Sequence, residues 1–79
     1  MSVTVLYFAA LRELVEADQE TIKPSSPLSV RELLGLLTRA HPRLVVRGIR
    51  VAVNEEFVDE TYLVRDDDTV ALIPPVSGG

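Results

Sequence analysis

Cysteine is absent from this 79-residue chain, so a disulfide, a thiolate nucleophile and a thiolate metal site are all excluded, and the redox character of the compartment is not encoded. Histidine occurs once, as His41, and one histidine without cysteine builds no metal site. Placed before Pro42 at the end of a helical stretch, its ring is expected near the last helical carbonyls, where the dipole favours the protonated form. Lysine also occurs once, as Lys23, and Gly35 lies inside a helical pattern rather than a phosphate-binding loop, so any nucleotide chemistry must be supplied by another protein. No basic cluster is present to neutralise phosphates or anionic lipid, and the net charge is -4, which turns the search for partners away from nucleic acid and membranes toward proteins with basic surfaces. No apolar run approaches bilayer length, and the N-terminus lacks the basic-then-apolar pattern of a secretory leader, so a cytoplasmic location is expected. Thermolabile side chains are nearly missing too. Beyond Met1 only Gln19 and Asn54 belong to those classes, and arginine outnumbers lysine seven to one, a pattern that suits a thermophile or a GC-rich genome.

What is present is apolar and regularly spaced. Hydrophobic residues make up 47% of the chain, which suffices for one small domain spanning residues 1–79 and argues against disorder. Val3, Val5 and Tyr7 alternate with Thr4, Leu6 and Phe8, a strand pattern with two largely apolar faces. Ala10, Leu11, Leu14 and Val15 predict a short helical turn within a long connection, and Gln19 to Lys23 a weaker strand ended by Pro24-Ser25-Ser26-Pro27. Ser29 followed by Glu32 is a capping box, and Val30, Leu33, Leu34 and Leu37 then form one stripe of a helix that Pro42 stops near Ala40 or His41. Ile49, Val51 and Val53 predict a third strand. Asn54-Glu55-Glu56 turns into a short Phe57-Val58 strand, Tyr62 to Val64 is a small apolar patch, and Arg65 to Thr69 turns into a last strand, Thr69 to Ile73.

One helix covers only one face of a sheet. With Val3, Val5, Tyr7, Val70 and Leu72 beneath it, the other face still carries Leu6, Phe8, Ala71 and Ile73, joined by Phe57 at an edge. Either the 9–18 segment shields part of this group or a partner does. The carboxylates of Glu55, Glu56, Asp59 and Glu60 around the hairpin, and of Asp66 to Asp68 in the turn, are expected to be solvated rather than paired for acid or base work. The aspartate run offers at most a weak Mg²⁺ contact. Beyond the last strand, Pro74 and Pro75 resist local folding and aim a flexible tail, about residues 74–79, away from the domain. Its final Gly78 and Gly79 are slim enough to thread the terminal carboxylate into a narrow pocket of another protein.

Three stretches carry a resemblance that runs the full length: Val5-Leu-Tyr-Phe-Ala-Ala-Leu-Arg-Glu13, Val53-Asn-Glu-Glu56 and Asp68-Thr-Val-Ala-Leu-Ile-Pro-Pro-Val-Ser-Gly-Gly79. Together they resemble the MoaD/ThiS family of sulfur carriers, and Phe8 with the Pro-Pro-Val-Ser-Gly-Gly ending favours its molybdopterin branch. The resemblance implies an α+β fold, the ubiquitin-like β-grasp, with a mixed sheet of four to five strands and one main helix on one face. Its first and last strands run side by side in parallel, and the connection between them is long enough for the right-handed crossover required. It implies a non-catalytic carrier that binds no cofactor itself. A MoeB-like, ubiquitin-activating-like adenylyltransferase using ATP and Mg would activate the Gly79 carboxyl, and a sulfur donor enzyme would convert it to a thiocarboxylate. The loaded tail would then enter a MoaE-like large subunit of molybdopterin synthase in a heterotetramer. Pro74, Pro75, Val76 and Ser77 would set the direction of the inserted tail and contact the tunnel, Gly78 and Gly79 would give it reach, Phe8, Phe57 and Ile73 would dock, and Arg12 would make a polar contact. Activating enzyme and large subunit would share this surface in turn. Sulfur delivery to the thiamine thiazole or to tRNA, or an interaction module or modifier without sulfur chemistry, are the alternatives.

Overall fold

The computed structural model describes residues 1–75. Along the chain lie β1 (Val3–Tyr7), α1 (Ala10–Val15), β2 (Gln19–Ile22), β3 (Leu28–Ser29), α2 (Val30–Ala40), β4 (Arg50–Val53), β5 (Glu56–Val58), β6 (Leu63–Val64) and β7 (Thr69–Ile73). Five strands form one mixed sheet in the order β2-β1-β7-β4-β5. β1 and β7 are parallel neighbours, in register from Thr4 opposite Thr69 to Tyr7 opposite Leu72, and the other pairs are antiparallel. This is the β-grasp arrangement expected, with α1 as a second, shorter helix.

Helix α2 begins where the capping box closes. Ser29 Oγ accepts from the Glu32 N–H at 3.1 Å, and Glu32 Oε1 accepts from the Ser29 N–H at 2.9 Å, which satisfies two donors that the first turn leaves without partners. It ends at His41, whose backbone is held extended (φ -128°, ψ 84°) by the proline that follows. Its stripe of Val30, Leu33 and Leu37 packs on Val3, Val5, Tyr7, Val70 and Leu72, and none of these eight is more than 2% exposed. Burial of each such side chain contributes roughly 1.5–3 kcal/mol, so this one layer contact dominates stability. Leu11 of α1 joins the same cluster, with Leu14 and Val15 packed against its edge.

A second, two-stranded sheet pairs β3 with β6, Leu28 opposite Val64 and Ser29 opposite Leu63. Sequence patterning missed it. Two-residue strands carry no alternation, and Tyr62 to Val64 reads simply as an apolar patch. The pairing matters for the helix, because it fixes the N-cap residue Ser29 and buries Val64 completely.

Opposite effects are expected from two substitutions in α2. Ser29→Ala should lower unfolding free energy by about 1 kcal/mol through loss of the cap. Gly35→Ala should raise it by about 0.5–1 kcal/mol, since an added Cβ meets nothing nearer than the Arg39 side chain at 3.9 Å and glycine disfavours a helix interior. Urea denaturation midpoints check both.

Candidate functional site

Register determines what the helix-free face presents. Side chains alternate across each strand, so the set opposite the core consists of Gln19 and Thr21 on β2, Thr4 and Leu6 on β1, Thr69, Ala71 and Ile73 on β7, Arg50 and Ala52 on β4 and Phe57 on β5. Leu6, Phe8, Ala52, Phe57, Ala71 and Ile73 line a groove of about 610 Å³, with Asn54, Glu55 and Thr69 at one end. Phe8, Phe57 and Ile73 are thus brought together as the sequence implied. The 9–18 segment does not cover them, because its apolar side chains enter the core.

Two exposed aromatics flank the groove, each for a local reason. Phe8 still donates its N–H to the Leu72 carbonyl at 3.2 Å, but Ala9 (φ 50°) then turns the chain into α1, and the ring stays 46% exposed. Phe57 lies on edge strand β5 opposite Ala52 and is 56% exposed. It follows a two-residue turn, Asn54 (φ 50°) and Glu55 (φ 72°), whose left-handed conformations match the twist of the paired strands. The Arg50 guanidinium lies over the Phe57 ring at 3.8 Å from its centroid. Arg12 borders Leu6 and Phe8 and reaches Asp18 at 3.9 Å, both side chains being exposed, a pair worth at most about 1 kcal/mol.

The tail root stands at one end of this face. Arg50 pairs with Ile73, and continuing that register sets Gly48 opposite Pro75. Two prolines supply no N–H, so the ladder stops there. Gly48 adopts φ +75°, and a Cβ built on it would lie 3.6 Å from Pro75 Cγ. Pro74 is half-buried and Pro75 exposed. The expected roles of Val76, Ser77, Gly78 and Gly79 fall outside the described residues.

Residues 5–79 match the ThiS family. The chain belongs to the ThiS family. It is 36% identical to the molybdopterin synthase sulfur carrier subunit of Chlamydomonas reinhardtii, over the whole of both chains. Among solved structures it resembles SAMP1 from Haloferax volcanii, at 28% identity and a TM-score of 0.85 over all of both chains. It also resembles a chain of the complex of subunits 1 and 2 of molybdopterin-converting factor from Helicobacter pylori, at 26% identity and a TM-score of 0.73, again with full coverage of both.

Elsewhere in this ThiS-family chain, one expectation about a polar residue is corrected. His41 does not turn to the helical carbonyls. Its Nε2 lies 2.7 Å from Glu20 Oε1, the same oxygen that accepts from the Tyr7 hydroxyl, and its ring stands edge-on to Tyr7. Periodicity cannot reveal this, since Glu20 faces the helix side through pairing with Val5. Burial, reinforced by the adjacent Glu20 carboxylate, pushes the Tyr7 phenol well above its ordinary value. Burial also opposes ionisation of Glu20, but the hydrogen bonds from Tyr7 and His41 outweigh it and hold that carboxyl below its ordinary value.

The turn carboxylates lie at the surface, none paired with another for acid or base work, as expected, and three of them also brace the backbone. Asp68 accepts from Asn54 Nδ2 at 3.0 Å and from the Arg65 N–H at 2.8 Å, Asp66 accepts from the Ser2 N–H at 2.7 Å, and Asp59 accepts from the Thr61 N–H at 2.8 Å. Asn54 Oδ1 in turn accepts from the Thr69 N–H at 3.0 Å, which braces the hairpin under Phe57. Among the described residues no cluster of carboxylates or histidine could hold a metal ion, and no helix is long and apolar enough to cross a membrane.

Because the Glu20 carboxyl is depressed on folding, its contribution is complete above the ordinary value of 4.5 and is lost as pH falls through the lower folded value. Glu20→Gln should therefore flatten the decline in stability below about pH 4.5, measured by thermal melts across pH. Gly48→Ala should cost about 1–2 kcal/mol from its left-handed backbone, and Gly48→Asn distinctly less, by urea titration.

Proposed function

We propose that this chain is the sulfur-carrying subunit of a molybdopterin synthase. The observation that carries the reading is the union of an uncovered apolar face with the root of the Gly-Gly tail at one end of it. A partner seated on Phe8, Phe57 and Ile73 receives the tail in a set direction, which replaces a diffusional search by an intramolecular one. Kinship with carrier subunits that match over their whole length supports the same reading.

The chemistry belongs to the terminus and to the partners. A carboxylate is a poor electrophile, so an activating enzyme with ATP and Mg joins the Gly79 carboxyl to AMP with release of pyrophosphate. A sulfur donor then displaces AMP, leaving a thiocarboxylate. The tail carries that sulfur into the large subunit, where it enters the dithiolene of molybdopterin and the carboxylate is regenerated. Gly78 and Gly79 provide a cross-section without side chains, while Pro74, Pro75, Val76 and Ser77 set reach and direction. The large subunit and the activating enzyme use the same apolar face, so they bind in turn, and two carriers with two large subunits form the working heterotetramer.

The test combines loading with delivery. Purified protein is incubated with ATP, a sulfur source and the ubiquitin-activating-like enzyme of its own genome, and its intact mass is followed before it is given to the large subunit with pterin precursor. The expected result is a mass gain equal to exchange of one oxygen for sulfur, absent after deletion of Gly79, followed by molybdopterin. Phe57→Asp should abolish delivery without altering the melting temperature by more than a few degrees, because the ring is largely exposed. Loading without molybdopterin would reassign the carrier to thiazole or tRNA thiolation, and no loading at all would leave a docking module or modifier.

A further inference from the structure

The open face is largely apolar, with Asn54, Glu55 and Thr69 at the end away from the tail, Arg12 at the Phe8 border and Arg50 as the charge beside the tail root. Arg50 stands on β4 between the docking aromatic and the tail root: its ring partner is Phe57 and its register partner is Ile73. It is exposed, and among the described residues no carboxylate lies within ion-pair distance of it, in contrast to Arg12 and Arg31. The whole chain is acidic at -4, and Asp59 and Glu60 border the same cavity as Arg50, but Asp59 accepts from Thr61 and Glu60 from Arg31, and neither reaches Arg50 within ion-pair distance. Glu55, the acidic residue lining the groove, sits at the end away from the tail.

Resting on the carrier reading above, we propose that Arg50 is the specificity-determining charge of this face and that it seats against a carboxylate of the protein partner. The partner surface is apolar where it meets Leu6, Ala71 and Ile73, and acidic where the tail enters it. A guanidinium stays protonated at any physiological pH, so a partner that covers the face must either pair it or bury it unpaired at a large cost. Stacking on Phe57 makes the requirement sharper. It holds the guanidinium carbon 3.8 Å from the ring centroid, and a guanidinium offers a carboxylate a two-pronged geometry that a lysine in its place could not reproduce. A partner with a neutral or basic group at that point would be rejected even if its apolar patch fitted, which is a way for one genome to keep several Gly-Gly carriers apart.

Calorimetric titration of the large synthase subunit with wild-type protein, Arg50→Leu and Arg50→Lys, at low and high salt, tests this. Expected is a loss of affinity of about 30-fold or more for Arg50→Leu, a smaller loss for Arg50→Lys, and a shallower salt dependence in the leucine variant. Thermal melts of the three proteins confirm that the fold is kept. Unchanged or tighter binding by Arg50→Leu would overturn the proposal while leaving the carrier reading intact, since an apolar residue would then fit the partner as well. Failure of the wild type to bind the large subunit would remove both, as would salt-sensitive self-association through Arg50, seen by sedimentation, that excludes the large subunit.

Discussion

Parallel pairing of the first and last long strands organises this molecule. β7 lies between β1 and β4, and it presents Val70 and Leu72 to the helix and Ala71 and Ile73 to the outside. With one long helix available, the second set stays open. The same pairing brings the end of the chain out from the middle of the sheet rather than from a frayed edge. The open apolar face and the tail root at Pro74 and Pro75 are therefore built on one strand, held by ladder hydrogen bonds on both sides of β7.

Polar networks stand at the margins and leave that surface clear. At the β2 side, Tyr7, Glu20 and His41 join the end of α2 to the sheet. At the hairpin side, Asn54, Asp68 and Thr69 lock two turns together. Each of these side chains finds its partner within the chain, so none competes for a ligand on the apolar face. Arg50 differs in resting on an aromatic ring, which holds it in place without cancelling its charge.

Strand alternation and the Ser29 to Glu32 spacing were enough to give the core, the helix and the uncovered face, because those features follow from local periodicity. Phe57 and Ile73 could be placed together from parity alone. What stayed hidden depends on pairing between distant segments. Leu28–Ser29 and Leu63–Val64 are too short to show a period, His41 needed the register of β2 to find Glu20, and the bonds that the solvated aspartate run makes to Ser2 and Asn54 join segments remote in the chain. Arg50 was legible in principle, since it shares the parity of Ala52. Its stacking on Phe57 required the hairpin geometry. Gly48 became informative only when the β4–β7 register set it opposite Pro75.

The β1–β7 ladder also has a mechanical meaning. In a parallel pair the start of β1 and the end of β7 lie at opposite ends of the same row of evenly spaced hydrogen bonds. Traction on the tail, resisted at the N-terminus, therefore loads those bonds together in shear instead of peeling them one by one. Load applied at the C-terminal end of β7 is thus met along the most force-resistant direction of the sheet.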